Sequence, residues 1–327
     1  MARTTDLLDQ LPELASMVAA QAGTVTRTVL RLHGIDDEVV RRQVTARRWQ
    51  EAGPQIVVTF TGPLTVGTRR WAAATNAGPY AILSGRTALA LHGLHGWDSE
   101  QVQVVVDRGV RPAFLGFVKI HESRRHQGAD ATTVQGLPCH RVERAAIDVA
   151  SWCSSDRTAV GVLAAVVQQR LTSPTRLQES LERQGRIRRR RLIAATINDL
   201  AGGGQALSEI EYGRLFERWG LPRPNRQAIR LDQRGRRRYL DVEWTLSCGA
   251  RKALEIDGMG HLEPARWYAD LLRAADITAT DETPILRLPA AAARIDESLV
   301  AGILHRYLGL DQPRAVRTSP CNPPPVF

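Results

Sequence analysis

The sequence lacks several patterns that would assign it to common classes of protein. Its four cysteines (139, 153, 248 and 321) contain no CxxC pair and no zinc spacing, so we expect reduced, mainly structural thiols in a cytoplasmic protein. No apolar run approaches the about 18 residues of a membrane span, and the N-terminus has no basic region followed by an apolar one. No phosphate loop is present either, which argues against a nucleotidyl-transferring enzyme.

Lysine is also scarce, although the chain is strongly basic. Only Lys119 and Lys252 occur among 44 lysines and arginines, and the net charge of the 327 residues is +10. The planar guanidinium fork of arginine suits phosphate recognition. A basic chain of this size most often binds nucleic acid, and less often an acidic partner or an anionic membrane. Because an arginine-rich, lysine-poor chain also reflects a GC-rich genome, the position of the arginine clusters is more informative than their number.

The length allows two or three domains, each with its own core. The composition, and the glycines and prolines that separate the predicted helices and strands, favour a multidomain α+β or α/β chain. We predict a DNA-binding domain over 1–75, a middle α/β domain over 76–200, a third α/β domain over 201–310, and a disordered Pro-rich tail over 311–327.

The first domain has the element order of a winged helix-turn-helix. Helical spacing over 7–20 and 25–32 is followed by a third helix, which Asp36 or Asp37 caps and which runs to about Trp49. A β-branched strand over 56–59 comes next. In a winged helix the third helix lies in the DNA major groove. Its DNA-contacting residues would be Arg41, Arg42, Arg47 and Arg48. The alternative is an amphipathic helix with a solvated basic face.

The middle domain combines strands near 102–106, 118–121 and 137–142 with helices near 143–153, 157–171 and 176–183. His92 and His95 are spaced for a metal, but interrupting glycines favour a structural role. The run 183–191 holds the densest positive charge and is a candidate phosphate contact.

The third domain concentrates acidic residues on two adjacent predicted strands. Asp241 and Glu243 alternate with apolar residues on one strand, and Glu255 and Asp257 do so on the next. Alternate residues of a strand share a face. Placing four carboxylates close together costs free energy unless a cation compensates their negative charge. The pattern therefore predicts a divalent metal site, and the alternative is acidic strand ends facing water.

A helix precedes these strands. Ser208 and Glu211 have capping-box spacing, which would start the helix there and explain Glu211 without catalysis. Its apolar face would be Tyr212, Leu215, Phe216 and Trp219. Basic residues fill the turn between the following two strands, over 232–238.

Helix, hairpin, strand, helix and strand, with acids at strand ends, resembles the PD-(D/E)xK nuclease superfamily, and in detail its very-short-patch-repair-like (Vsr-like) branch. The likeness covers about residues 205–310, and its most specific part is Glu-x-Asp-Gly-x-x-His, from Glu255 to His261. Other matching positions are Ser208, Glu211, Gln227, Asp241, Asp270, Arg273 and 285–288.

This resemblance implies that Asp241 and Glu255 hold Mg²⁺ or Mn²⁺, which would polarise the scissile phosphate and acidify an attacking water. Glu211 would complete the metal shell through water, and His261 would donate or accept a proton. Asp257 stands where the superfamily has its final lysine. The site would then either rely on extra metal and His261, or no longer cut. The implied DNA contacts in this domain are Gln227, Arg237 and Arg238.

The first two domains are similar to AbiEi-type antitoxins of type IV toxin–antitoxin systems, on their helix order and on segments 84–94 and 136–150. Together the resemblances imply a DNA-binding protein with a Mg-dependent endonuclease-like domain that hydrolyses phosphodiester bonds. The alternative is a transcriptional regulator or antitoxin-like protein, with a toxin or defence partner, in which the nuclease fold does not cleave.

Overall fold

The computed structural model describes residues 7–123, 128–201, 204–231, 237–246, 249, 251–257, 285–289 and 291–310. Residues 9, 204–210, 225–231, 237–241, 255, 257 and 285 are described by their backbone alone. His261, Asp270, Arg273 and the predicted tail 311–327 lie outside the described residues. No helix capable of crossing a membrane occurs within these ranges.

The chain has a mixed α/β fold with several sheets, so the prediction of a multidomain α+β chain is confirmed at that level. Two compact units are present, residues 1–152 and 153–327. The finer division into three domains at 75 and 200 stays a prediction.

Three helices and a three-stranded sheet begin the first unit. A 3-10 helix, Leu7–Gln10, precedes α1 Pro12–Ala20, β1 Thr24–Thr26, α2 Arg27–Leu32, α3 Asp37–Thr45, β2 Gln50–Gly53 and β3 Ile56–Val58. The sheet order is β1-β3-β2, with both pairs antiparallel. Helices and sheet share a core that includes Leu14, Leu30, Val40, Trp49 and Val57.

Two boundaries of these helices differ from the prediction. The helix expected from residue 25 begins at Arg27, because Val25 belongs to β1 and pairs with Val57. The third helix ends at Thr45 instead of reaching Trp49. Arg47 adopts a left-handed conformation with φ of 55°, which turns the chain and lets Trp49 enter the core. Of the two predicted capping residues, Asp36 is the N-cap, since its side chain accepts a hydrogen bond from Val39 N–H.

The rest of the first unit is built on a five-stranded sheet of order β6-β5-β4-β8-β7. Its elements are α4 Val66–Ala77, β4 Ile82–Leu83, α5 Gly85–Leu91, β5 Val102–Asp107, β6 Val118–Ser123, β7 Ala131–Val134, β8 Leu137–His140 and α6 Val142–Trp152. Strand β5 corresponds to the strand predicted near 102–106, and Val104, Val105 and Val106 are all buried. Helix α4, which is not predicted from the sequence, spans the proposed boundary after residue 75.

The second unit contains a mixed four-stranded sheet of order β12-β11-β10-β9. Its elements are α7 Asp156–Gln168, α8 Pro174–Arg183, α9 Arg190–Leu200, α10 Gly204–Arg218, β9 Asn225–Leu231, β10 Arg237–Thr245, β11 Arg251–Asp257, β12 Ile285–Pro289, α11 Ala292–Ile295 and α12 Glu297–Leu308. Strands β9, β10 and β11 are antiparallel neighbours, and β12 is parallel to β11.

Helix α10 packs on this sheet through the face that the sequence predicts. Tyr212, Leu215 and Phe216 are buried, and Phe216 meets Trp244 of β10 edge to face at 5.4 Å between ring centroids. The predicted capping box is wrong, because α10 begins at Gly204 and Ser208 lies inside it. Since α10 is already two turns long at Glu211, that side chain needs another explanation.

Candidate functional site

Exposed arginines surround the end of α3, and we call Arg41, Arg42, Arg47 and Arg48 the basic cluster. The first two lie on α3 and the other two lie in the turn that follows it. Val40 on the opposite side is fully buried in the core, with Val39 and Val44 packed around it. Arg48 Nε donates to Gln43 Oε1 at 2.6 Å, which directs one guanidinium of the cluster. The apolar side of α3 is thus fixed in the core while its basic residues stay in solvent.

Arg27, at the start of α2, ties α3 to the hairpin of β2 and β3. Its Nη1 donates to Asp37 Oδ1 at 2.7 Å, its Nε donates to the Pro54 carbonyl at 3.0 Å, and it forms an ion pair with Glu51. Arg31 Nη2 donates to the other Asp37 oxygen at 2.9 Å. Hydrogen bonds from Arg31 and then Arg27 lower the pKa of the Asp37 carboxyl. One arginine therefore sets the position of the first turn of α3 relative to the hairpin.

The arginine run 183–191 is only partly available for phosphate. Arg189 donates to the carbonyls of Cys153 and Ser154 at 2.7 and 3.0 Å. Arg190 Nη1 donates to the carbonyls of Leu181 and Gly185 at 2.9 and 3.0 Å, at the end of α8. These two side chains satisfy backbone acceptors at helix ends, so the phosphate-contact prediction does not extend to them.

The acidic residues of the third predicted domain lie on adjacent strands. Val242 of β10 is the register partner of Leu254 of β11, and both are buried. Asp241 and Glu255 are the next positions along these two strands. Glu255 in turn is the register partner of Arg287 on β12. Only the backbone is described at Asp241, Glu255 and Asp257, so the predicted convergence of their carboxylates stays a prediction.

Glu243, the fourth acid of that pattern, is not a strand end facing water. Its side chain is buried, and its Oε1 lies 4.0 Å from Arg251 Nε. Among the described residues, no group of three or more histidine, cysteine, aspartate or glutamate side chains could hold a metal. The predicted ligands Asp241 and Glu255 are outside that test, because their side chains are not described.

Glu211 takes part in a charge network with two other helices. Both of its carboxylate oxygens accept hydrogen bonds from Arg294 of α11, each at 2.8 Å. Arg294 also donates to Asp199 Oδ2 of α9 at 3.2 Å. Burial raises the pKa of Asp199 to about 6, although the charge of Arg294 opposes this. A bidentate bond to arginine occupies the carboxylate, so this pairing accounts for Glu211, and its predicted metal role through water stays a prediction.

Gln227, Arg237 and Arg238 are described by backbone only. Gln227 lies on β9, and the other two begin β10, where Arg237 pairs with Leu231 and Arg238 with Arg230. Their predicted DNA contacts are therefore not tested by any side-chain geometry.

No protein-family model matches this chain, and no curated protein matches it. Among solved structures, the RV2827C protein from Mycobacterium tuberculosis is similar, with a TM-score of 0.42 and 16% sequence identity. The match covers 63% of this chain and 82% of that chain. A likeness at this level carries no functional inference.

A buried polar network in the first unit is not anticipated from the sequence. Ser84 Oγ donates to Asp148 Oδ2 at 2.9 Å and lies 2.7 Å from His140 Nδ1. Arg144 Nε donates to both Asp148 oxygens at 3.0 Å, and its Nη1 donates to Asp130 at 3.2 Å. Burial alone would raise the pKa of Asp148, but hydrogen bonds and charge from His140 and Arg144 lower it.

This network does not have the geometry of a nucleophilic triad. Ser84 and Asp148 both lie near the same ring nitrogen of His140, whereas a triad needs the serine and the acid on opposite nitrogens. Ser84 and His140 are also fully buried, so a substrate could not reach them. In the sequence, Ser84 precedes His140 by 56 residues and Asp148 by 64 residues. The i,i+4 spacing of Arg144 and Asp148 is the local signal that could have indicated it.

His92 serves this region structurally. Its Nε2 lies 2.9 Å from the His140 carbonyl and 3.8 Å from Cys139 Sγ. Burial raises the pKa of the Cys139 thiol to about 11, so this thiol is a poor metal ligand at neutral pH. These contacts favour the structural interpretation of His92 over a metal site shared with His95.

Proposed function

We propose that this protein binds duplex DNA through a winged helix-turn-helix formed by α1 to α3 and the hairpin of β2 and β3. The observation that carries the proposal is topological. The order is helix, short strand, helix, helix and hairpin, and the short strand β1 joins the hairpin as a third strand. In a winged helix the third helix enters the major groove, and the hairpin is the wing that accompanies it.

The chemistry of α3 supports the same proposal. Its basic cluster is exposed, while its other side is buried among Leu30, Trp49 and Val57. Arg41 and Arg42 on the helix are suited to base edges and phosphates in the groove, and Arg47 and Arg48 to the flanking phosphates.

A salt series tests this proposal. Fluorescence anisotropy would measure affinity for a labelled duplex that carries the region upstream of the gene. Each phosphate contact contributes about −0.9 to the slope of log K against log salt. Arg42→Ala/Arg48→Ala should weaken binding and make the slope shallower by about 1.8. The matched control is Arg108→Ala/Arg111→Ala, two exposed arginines of the same unit. Equal affinity and slope in wild type and Arg42→Ala/Arg48→Ala would refute the proposal.

A second candidate function, phosphodiester hydrolysis by the sheet of the second unit, is favoured by its strand arrangement. A helix, α10, precedes three antiparallel strands, and a later strand, β12, lies parallel to β11. The helix and the four strands fit the order that the Vsr-like resemblance implies, and the helix expected between β11 and β12 lies outside the described residues. Residues directly opposite on antiparallel strands have Cβ atoms about 4.5–5.5 Å apart. Asp241 and Glu255, one register step beyond the pair of Val242 and Leu254, fit a shared divalent metal on that basis.

When bound, Mg²⁺ or Mn²⁺ would supply a Lewis acid for the phosphate and lower the pKa of a bound water. The chain itself would contribute the carboxylates of Asp241 and Glu255, with Asp257 and His261 as further candidates. Supercoiled plasmid incubated with each metal should be nicked by wild type, and by the control Glu217→Gln, an exposed acid of α10. Asp241→Asn and Glu255→Gln should lose nicking. Equal nicking by all four proteins would exclude this site.

DNA binding without any nicking would instead favour the regulator or antitoxin-like alternative. In that case the second unit would serve as a scaffold, and the function to test is its binding to a toxin or defence partner. A partner protein that binds residues 153–327, in a complex that shows no nuclease activity, would support this alternative. The two candidates thus differ in one measurement, metal-dependent cleavage.

A further inference from the structure

A cleft of about 350 Å³ lies in the first unit between α4, α5 and the loop that leads into β5. Three arginines line it, Arg69 and Arg70 from α4 and Arg86 from α5. Its remaining polar lining is Thr87, Asp98, Ser99, Glu100 and Gln101. Small-molecule sites typically occupy about 300–1,000 Å³, so the cleft is large enough for a compact ligand.

The three guanidinium groups are unpaired within the part of the chain that the structure describes. None of them forms a hydrogen bond or an ion pair there, and Arg69 Nε is enclosed without a partner. A buried donor that lacks an acceptor is unfavourable, because it has lost its hydrogen bond to water and gained none in the protein. Burial also lowers the pKa of Arg70, which the charge of Asp98 partly offsets. A bound anion would supply the acceptor that Arg69 Nε lacks and would replace water at the half-buried Arg70 and Arg86.

Two of these arginines, Arg69 and Arg86, each lie over an aromatic ring, which uses none of their N–H donors. Arg69 Cζ lies 5.9 Å from the ring centroid of Phe117, and Arg86 Cζ lies 5.7 Å from that of Trp97. A ring that contacts the face of a guanidinium leaves its in-plane N–H groups free. The N–H groups of the guanidinium fork match the oxygens of a phosphate. Three forks in one cleft exceed what a single phosphate group needs and suit two linked phosphates.

Two exposed carboxylates, Asp98 and Glu100, stand in the lining beside the arginines. They would repel a long polyanion that crosses the cleft, and they would accept hydrogen bonds from hydroxyl or amino groups. The lining therefore favours a small molecule with both a phosphate part and a donor-rich organic part over the backbone of a nucleic acid.

We propose that this cleft binds an organic diphosphate of nucleoside diphosphate type. The diphosphate oxygens bind Arg69, Arg70 and Arg86, and sugar or base donors bind Asp98 and Glu100. This site is separate from the basic cluster of α3 and does not depend on the proposed DNA binding.

Calorimetric titration of the full chain with ADP and with pyrophosphate tests the site. Both should bind, and ADP should bind more tightly because its organic part reaches the carboxylates. Arg69→Gln and Arg86→Gln should each weaken ADP roughly tenfold or more, since each removes a charged hydrogen-bonding group. Arg108→Gln, an exposed arginine outside the lining, should bind ADP like wild type. Arg42→Ala/Arg48→Ala should also bind ADP normally, whether or not it binds DNA.

Several results would overturn the proposal. Absence of binding by ADP and pyrophosphate, or equal ADP affinity in wild type and both glutamine variants, excludes the site. Equal affinity for ADP and pyrophosphate excludes the proposed contacts of Asp98 and Glu100 with the organic part of the ligand. If the glutamine variants weaken duplex DNA binding while neither small ligand binds, the cleft contacts DNA instead. Arg86→Lys is the second variant if Arg86→Gln does not fold. It keeps the charge, loses the planar fork, and must weaken ADP binding.

Discussion

Replacing Arg294 by methionine should destabilise the second unit strongly, because this arginine neutralises two carboxylates at once. Its side chain is 14% exposed, and those of Asp199 and Glu211 are 1% and 24% exposed. Methionine fills much of the same volume and has no charge, so Arg294→Met mainly leaves the two acids without a cation. Breaking a buried ion pair from one side costs about 3–5 kcal/mol. The partial exposure of Glu211 argues for the lower end, about 3 kcal/mol at pH 7.5.

The cost should depend on pH in a defined direction. Burial raises the pKa of Asp199 to about 6, above the ordinary value of 3.8, so the folded state binds this proton more tightly than the unfolded state. The stability associated with this group is complete below pH 3.8 and declines as the pH rises to 6. Loss of Arg294 removes the charge that opposes this shift, so the decline extends to higher pH. The destabilisation by Arg294→Met should therefore be smaller near pH 4.5, where Asp199 is protonated, than at pH 7.5.

Urea unfolding at both pH values would measure the difference. Arg218→Met is the matched control, because Arg218 Nη1 donates to both carboxylate oxygens of Glu297 while the Arg218 side chain is 61% exposed. An exposed pair contributes about 0–1 kcal/mol. If Arg294→Met and Arg218→Met lose the same stability at pH 7.5, or if the loss in Arg294→Met is the same at both pH values, the reasoning is wrong.

Two further predictions concern other buried groups. Cys139 is fully buried, and burial raises the pKa of its thiol to about 11. Iodoacetamide at pH 8 should therefore alkylate Cys139 only after unfolding, whereas Cys153 should react in the native state. Mass spectrometry of the digested protein checks this, and equal labelling of the two cysteines would contradict it. Tyr307→Phe removes a hydroxyl that bonds both the N–H and the C=O of Ala253, at 3.1 and 3.0 Å. Urea unfolding should detect a loss of about 1–3 kcal/mol from the buried backbone groups left without this partner, and an unchanged unfolding midpoint would contradict the assignment.

The parts of the fold that could be predicted are those with a strong local signal. Four of the five residues over 102–106 are valine, and all four valines are buried in β5. Helix α10 has a clear apolar face, whereas α4 is packed largely through alanines, which give a weak periodic signal. Strand β1 is three residues long and exists through pairing with β3, whose partner residues are 30 to 34 positions away in sequence. Short non-local elements of this kind cannot be derived from local pattern.

The same division applies to the candidate sites. The exposed arginines of α3 are predictable because a basic stripe alternates with a valine stripe on one helix. The pairing of Glu211 with Arg294 is not predictable, since 83 residues separate them and capping offered a local explanation for the acid. The arginine cleft likewise combines residues of α4 and α5, whose proximity depends on the packing of both helices against β5 of the five-stranded sheet.

The contacts of Arg27 have a kinetic consequence for the proposed binding to DNA. They hold α3 and the hairpin in one arrangement before any partner arrives. A preordered surface loses little conformational entropy when it docks. We therefore expect the association rate with duplex DNA to be set by electrostatic steering and to fall with ionic strength. Arg27→Ala, which leaves the basic cluster intact, should then slow association by adding a rearrangement before docking, which stopped-flow mixing would resolve.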